Sequence, residues 1–263
     1  MSVPSTGRRV LRTVFAVAAA ISALLILWYV VTAGTGLVSP ARFPTPLEVF
    51  SAAQQILFEG YANGRWHEHV LRSVLLVTMG FIVSSSVGVT LGLAMGASRK
   101  IEAFVNPIFL LLRPIPPLAW IPLAIVWLGL GDAAKILVIF VAAFVPSVIN
   151  SYTGVRQIEK PIFEAAAMLD VTGWRYWREV LIPGAMPGIF TGLRLSLQAS
   201  WTTLVAAELI GAITGLGQIL NQAAQDIFPG MIVVGMLSVA LCGWLMTLIL
   251  GWTETRVTPW RAR

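Results

Sequence analysis

Charge is what this 263-residue chain has least of. Only 11% of its residues are Asp, Glu, Lys or Arg, against roughly 25% in an average soluble domain. With 57% hydrophobic residues and a mean hydropathy of +0.82, this balance places the chain among integral membrane proteins. There is one cysteine, Cys242, inside an apolar run. That excludes an intrachain disulfide and any metal site built on cysteine pairs. The two histidines, His67 and His69, are two positions apart and would point to different faces of a helix; they read as outer-loop residues. No GxxxxGKS/T loop is present, which excludes ATP binding of that kind, and no HExxH metalloprotease motif occurs. The formal net charge of +6 does not indicate nucleic acid. The basic residues are scattered in small groups between apolar runs, with no basic patch interleaved with aromatics.

What is present is a series of long apolar runs. A membrane-spanning helix needs about 20 such residues, and the candidates lie at 13–33, 73–96, 105–129, 134–153, 187–209 and 229–251. The first follows Arg8, Arg9 and Arg12 like a signal peptide, with "VTA" at 31–33 as a weak cleavage signal. Its apolar core from Val14 to Val31 exceeds the usual 7–15 residues, so a retained first span is expected. Six spans put both termini on one side. With the N-terminus inside, the inner segments hold twelve Lys and Arg residues and the outer segments four, and two more lie in or near spans. The positive-inside rule therefore makes both termini and the loop at 154–186 cytoplasmic. The expected organisation is a cytoplasmic tail at 1–12, then one transmembrane domain at 13–263.

Local signals refine this picture. In the outer segment 34–72, Thr45, Pro46 and Glu48 form a capping box with the favoured first-turn proline. Leu47, Phe50, Ile56 and Leu57 suit a short helix on the outer membrane surface. Gly88, Gly92 and Gly96 are four apart, as is the pair Gly188 and Gly192. Small residues at that spacing let helices approach closely in lipid, most simply within one subunit.

The loop at 154–186 is too ordered in composition for a plain connector. Pro161 to Leu169 is rich in helix formers, with Glu164 in the first turns, and a second helix from about Trp174 to Leu181 should end at Pro183. A turn near Asp170–Gly173 joins them. Glu164-Ala165-Ala166, then three residues, Asp170, nine residues and Val180-Leu181-Ile182-Pro183 resemble the EAA loop of permease subunits of bacterial ATP-binding-cassette importers. Asp170 stands where that signature has glycine; Asp tolerates a left-handed backbone, and Gly173 can share the turn. The stretches 111–144, 183–195 and 202–217, and the ending "VTPW" at 257–260, look like the taurine, sulfonate and nitrate branch of the family, most of all its taurine permeases.

The resemblance implies an all-α, six-helix MetI-like permease fold in the bacterial inner membrane, without enzymatic activity of its own. It implies a homodimer, a cytoplasmic ATPase dimer that binds the ATP and magnesium, and an extracytoplasmic substrate-binding protein. No cofactor or nucleic acid belongs to this chain; membrane lipid surrounds it. Glu164, Ala165, Ala166, Asp170, Gly173 and Pro183 would then couple to the ATPase, with the alanines forming a smooth docking surface.

Charges within spans are costly and are functional candidates. Arg113 precedes Pro114, Pro116 and Pro117, which should break the third span at membrane depth and free carbonyls around a cavity. Arg194, Gln198, Trp201 and Glu208 are offset by 4, 7 and 14 residues and fall on one helix face. With Trp120, these residues are the candidate substrate pathway. The expected substrate is a small sulfonate-type anion or zwitterion such as taurine. Nitrate, another alkanesulfonate, an aromatic carboxylate or a pyrimidine precursor are alternatives. A self-sufficient secondary transporter is the competing class, against which six spans and no inverted repeat argue. An intramembrane enzyme lacks its catalytic groups.

Overall fold

Runs of apolar residues that outlast 18 positions without a charge have one stable solution in lipid, the helix, and the chain follows it. The computed structural model describes residues 6–34 and 42–262. Positions 1–5 of the expected tail, 35–41 of the expected outer segment, Arg263, and the side chains of 6–14, 17, 261 and 262 lie outside the described residues.

Helix α1 (Thr6–Tyr29) continues as a π turn to Gly34, and the capped helix α2 (Pro46–Gln54) follows. Then come α3 (Trp66–Ala97), α4 (Arg99–Leu112), α5 (Ile121–Leu128) and α6 (Asp132–Arg156). The short helices α7 (Lys160–Met168) and α8 (Gly173–Tyr176) precede α9 (Ile182–Gly211), α10 (Leu216–Gln225) and α11 (Pro229–Val257). Among the described residues α3, α6, the continuous run 173–211 and α11 are long and apolar enough to cross a membrane. The pair α4 and 117–128 makes a fifth crossing in two halves bent by 82°. Where the first span was expected, the described side chains include the apolar helical stretch Ala18–Gly34.

The caps explain several boundaries. Thr45 Oγ1 accepts the Glu48 N–H at 3.2 Å while Glu48 Oε2 accepts the Thr45 N–H at 2.8 Å, the reciprocal capping box. Leu47, Phe50 and Leu57 are exposed along this segment, but Ile56 is fully buried. Asp132 opens α6 and Arg156 closes it, each matching the sign of the helix dipole at its end. The third span breaks after Leu112 because Pro114, Pro116 and Pro117 offer no N–H to a continuing helix.

α6 lies between α3 and α9, and small residues set the distances. An added Cβ on Gly88, Gly92 or Gly96 of α3 would come within 2.7, 2.5 and 2.6 Å of α6 atoms, so these three glycines seam two helices of one subunit. On the other side, a Cβ on Gly188 would lie 2.6 Å from the Gly154 Cα. Serines bridge the same seams. Ser84 Oγ donates to the Phe140 carbonyl at 2.8 Å, and Ser196 Oγ donates to the Ala143 carbonyl at 2.7 Å. The proton of Ser196 is thereby used, so Ser147 donates in the 2.7 Å Ser147–Ser196 bond. Such hydrogen bonds contribute about 0.6 kcal/mol each within membranes.

Candidate functional site

The loop between α6 and α9 is built as two arms. Pro161 sits in the first turn of α7, as expected from its fixed φ. After Met168 the chain reverses: Asp170 takes φ 51° and Gly173 takes φ 59°. Both lie in the left-handed region, which Asp adopts more readily than most residues, so the turn forms without glycine at 170. The Phe163 and Tyr176 rings, 6.3 Å apart, fasten one arm to the other.

Two expectations change here. Pro183 does not end a helix. Ile182 bonds back five residues to the Trp177 carbonyl, giving a π turn, and α9 starts at once with Pro183 in its first turn. A first-turn proline needs no N–H donor, so the helix runs on. The three alanines do not share one surface. Ala165 and Ala167 are exposed, whereas Ala166 is buried and its carbonyl accepts the Val171 N–H at 3.0 Å. Glu164 is exposed. Around it the loop presents Met168, Leu169 and Trp174 at 87%, 75% and 73% exposure.

The predicted pathway residues fall into three places. Arg194, Gln198 and Trp201 line one groove of about 450 Å³, closed on the far side by Gly243 and Thr247 of α11. Arg194 forms an ion pair with Glu254 of α11. The Trp201 indole lies against Gly243, whose added Cβ would be 3.9 Å from Nε1. Arg113 and Trp120 line a second cavity, about 350 Å³, between the broken span and α6, with Phe109, Phe140 and Phe144. Among the described residues the Arg113 guanidinium forms no ion pair with a carboxylate. The indole nitrogens of Trp120 and Trp201 are both buried without a hydrogen-bond partner. Buried donors are nearly always satisfied, and each of these two tryptophans lines a cavity that an arginine also lines.

Glu208 lies apart from both cavities. It is fully buried, at the far end of α9. Its Oε2 accepts the Gly217 N–H at 2.7 Å, and Ser73 Oγ lies 2.8 Å from Oε1. Ser73 Oγ also accepts the Leu216 N–H at 2.9 Å. The carboxylate therefore caps the start of α10 from a different helix, where a negative charge is favoured. Gly215 has φ 148°, and a Cβ there would meet the Glu208 carboxylate at 2.3 Å.

Residues 87–263 match the binding-protein-dependent transport system inner membrane component family. The taurine transport system permease protein TauC of Escherichia coli K12 is 34% identical, over 91% of this chain and 87% of that protein. The nitrate import permease protein NrtB of Synechocystis is 31% identical, over 92% and 88%. This chain belongs to that family of inner-membrane permeases. A solved inward-facing structure of the MetNI methionine ABC transporter superposes with a TM-score of 0.56 at 24% identity. It covers 72% of this chain and 94% of that one, so the permease has the MetI-like fold. It is a multi-pass inner-membrane protein of the taurine, sulfonate and nitrate branch. As a binding-protein-dependent ABC importer permease it operates with a separate ATPase and a substrate-binding protein.

The permease also uses residues that sequence reasoning passed over. His69 is not an outer-loop residue. It lies in the first turn of α3 and is fully buried. Its Nε2 faces the Tyr61 carbonyl at 2.9 Å and can only donate there. Its Nδ1 accepts the Gly215 N–H at 3.0 Å. One neutral tautomer satisfies both bonds. Nearby, Tyr61 Oη donates to Asp226 Oδ2 at 2.5 Å. Burial, then the bond to that carboxylate, hold the phenol above its usual pKa. His69 and Ser73 are four apart on one face of α3, but no spacing links them to Gly215 and Gly217. The signal that could have found them is the TGLG stretch at 214–217, whose glycines follow a buried carboxylate.

Proposed function

We propose that this permease works as a homodimer in an ATP-driven importer of small oxyanions, with a sulfonate such as taurine as the first candidate. The six-span topology has both termini in the cytoplasm, and the loop 154–186 docks into a cleft of the ATPase. The observation that carries the reading is the apolar cluster Met168, Leu169 and Trp174, exposed beside Glu164 on a loop of fixed shape. Large apolar side chains held in water at a loop tip mark a protein interface. ATP-driven closure of the ATPase dimer would then move α7 and, through the unbroken 173–211 helix, the pathway.

The substrate class rests on the cavities. The arginines and Gln198 that line them are donors, which suit ligands rich in oxygen acceptors. Relatives named for taurine and for nitrate share that chemistry. Glu164, Ala165, Ala166, Asp170, Gly173 and Pro183 form the coupling element; Arg113, Trp120, Arg194, Gln198 and Trp201 line the route. Glu208 holds its outer end in register without touching substrate.

The test is co-expression with neighbouring ATPase and binding-protein genes, then reconstitution. ATP-dependent uptake of taurine, competed by other alkanesulfonates, is expected. Uptake by the permease alone, without ATP, would replace this reading with a secondary transporter.

A further inference from the structure

Where α4 begins and α6 ends, the two helices leave a cleft of about 360 Å³, lined by Arg99, Glu102, Ala103, Asn106, Pro107 and Arg156. Two of these residues are arginines, and they come from different helices. Arg99 is exposed and forms no hydrogen bond or ion pair among the described residues. Arg156 is held in place from behind. Its guanidinium is 3.5 Å from Glu102 Oε2 and 5.6 Å from the centre of the Tyr152 ring, and Tyr152 Oη donates to the other Glu102 oxygen. Glu102 thus serves as an orienting group, only 20% exposed, while half of the Arg156 side chain remains open.

We propose that this cleft binds the headgroup phosphate of an anionic glycerophospholipid. Charge and depth both favour that occupant. Two arginines against one engaged carboxylate leave the cleft net positive. On the same flank of α4, Pro107 and Leu110 are exposed, so an apolar track leads from the phosphate site into the bilayer. Pro107 has no N–H to give to the Ala103 carbonyl, which leaves an acceptor for a headgroup hydroxyl. The site is at the root of the loop that leads to the ATPase, since α7 starts four residues after Arg156. A bound lipid would therefore fix the angle at which the loop leaves α6.

The full-length permease is purified in mild detergent, and bound lipid is titrated by native mass spectrometry with phosphatidylglycerol and with phosphatidylcholine. Arg99→Gln with Arg156→Gln should weaken phosphatidylglycerol binding by roughly 25-fold, about fivefold for each surface arginine. Arg99→Lys with Arg156→Lys should retain most of it, which separates lost charge from lost folding. Phosphatidylcholine should bind weakly to all forms. Equal retention of both lipids, or no loss in the Gln variant, would overturn the proposal. So would competition by millimolar inorganic phosphate that abolishes lipid binding, since the cleft would then be a site for the free ion. If the Gln variant instead loses a dimer seen in the wild type, the cleft faces a second copy and the lipid assignment fails.

Discussion

The Glu208 carboxylate lies 2.7 Å from the amide nitrogen of Gly217, nine residues further along the chain. Between them the backbone leaves α9, turns through Gly215 and enters α10. With Ser73 on the same carboxylate, three segments meet on one side chain. Glu208→Ala would leave a buried N–H and a buried hydroxyl unsatisfied, at about 1–3 kcal/mol each. A lower unfolding temperature in detergent is expected, with faster hydrogen exchange at the Leu216 and Gly217 amides. Unchanged exchange there would show that the carboxylate does not hold the turn. Glu208→Gln should fall between, because its amide NH2 would face a donor.

The closest approach of α6 and α9, at Gly154 and Gly188, gives a second expectation. Gly188→Ala forces a methyl group onto the opposing backbone and should cost about 1–3 kcal/mol by overpacking. Gly251→Ala is the control, since the atom nearest its added methyl would be the flexible end of Arg194 at 4.0 Å. Thermal unfolding of the two variants side by side should separate them by several degrees.

In the coupling loop, position decides the kind of damage. Glu164 is exposed, so Glu164→Ala should leave the unfolding temperature unchanged while reducing ATPase co-purification severalfold. Ala166 is buried, so Ala166→Leu should lower both stability and co-purification. If Glu164→Ala binds the ATPase as well as wild type does, the exposed acid has no part in docking.

Trp201→Phe keeps an aromatic ring in the wall of the α9–α11 groove but removes its buried, unpaired N–H. A rise of about threefold or more in the apparent KM for uptake, with normal assembly, is expected from the loss of one hydrogen bond of about 1 kcal/mol. An unchanged KM would confine the indole to packing. Trp120→Phe tests the other cavity in the same way.

Features set by a few neighbouring residues could be read from the sequence. The Thr45–Glu48 cap, the start of α7 at Pro161, the left-handed Asp170 and the proline break after Arg113 all depend on local backbone sterics. Helix periodicity likewise put Arg194, Gln198 and Trp201 on one face. It could not say what covers that face. Glu208 shares the stripe, yet the turn at 212–215 folds over it and Ser73 arrives from α3. His69 was misread for the same reason: its partners, Tyr61 and Gly215, are contributed by the fold. Pro183 misled in another way, because a π turn before it let one helix hand over to the next without a gap.

That hand-over makes 173–211 a single rod of 39 residues, about 58 Å long at 1.5 Å per residue. One end carries the exposed Trp174 and the other the buried Glu208. Pivoted near its middle, where Ser196 bonds to the Ala143 carbonyl of α6, such a lever converts a tilt of about 5° into opposite displacements of roughly 2–3 Å at its two tips. Force applied in the cytoplasm would reach the outer turn without any intermediate part having to change shape.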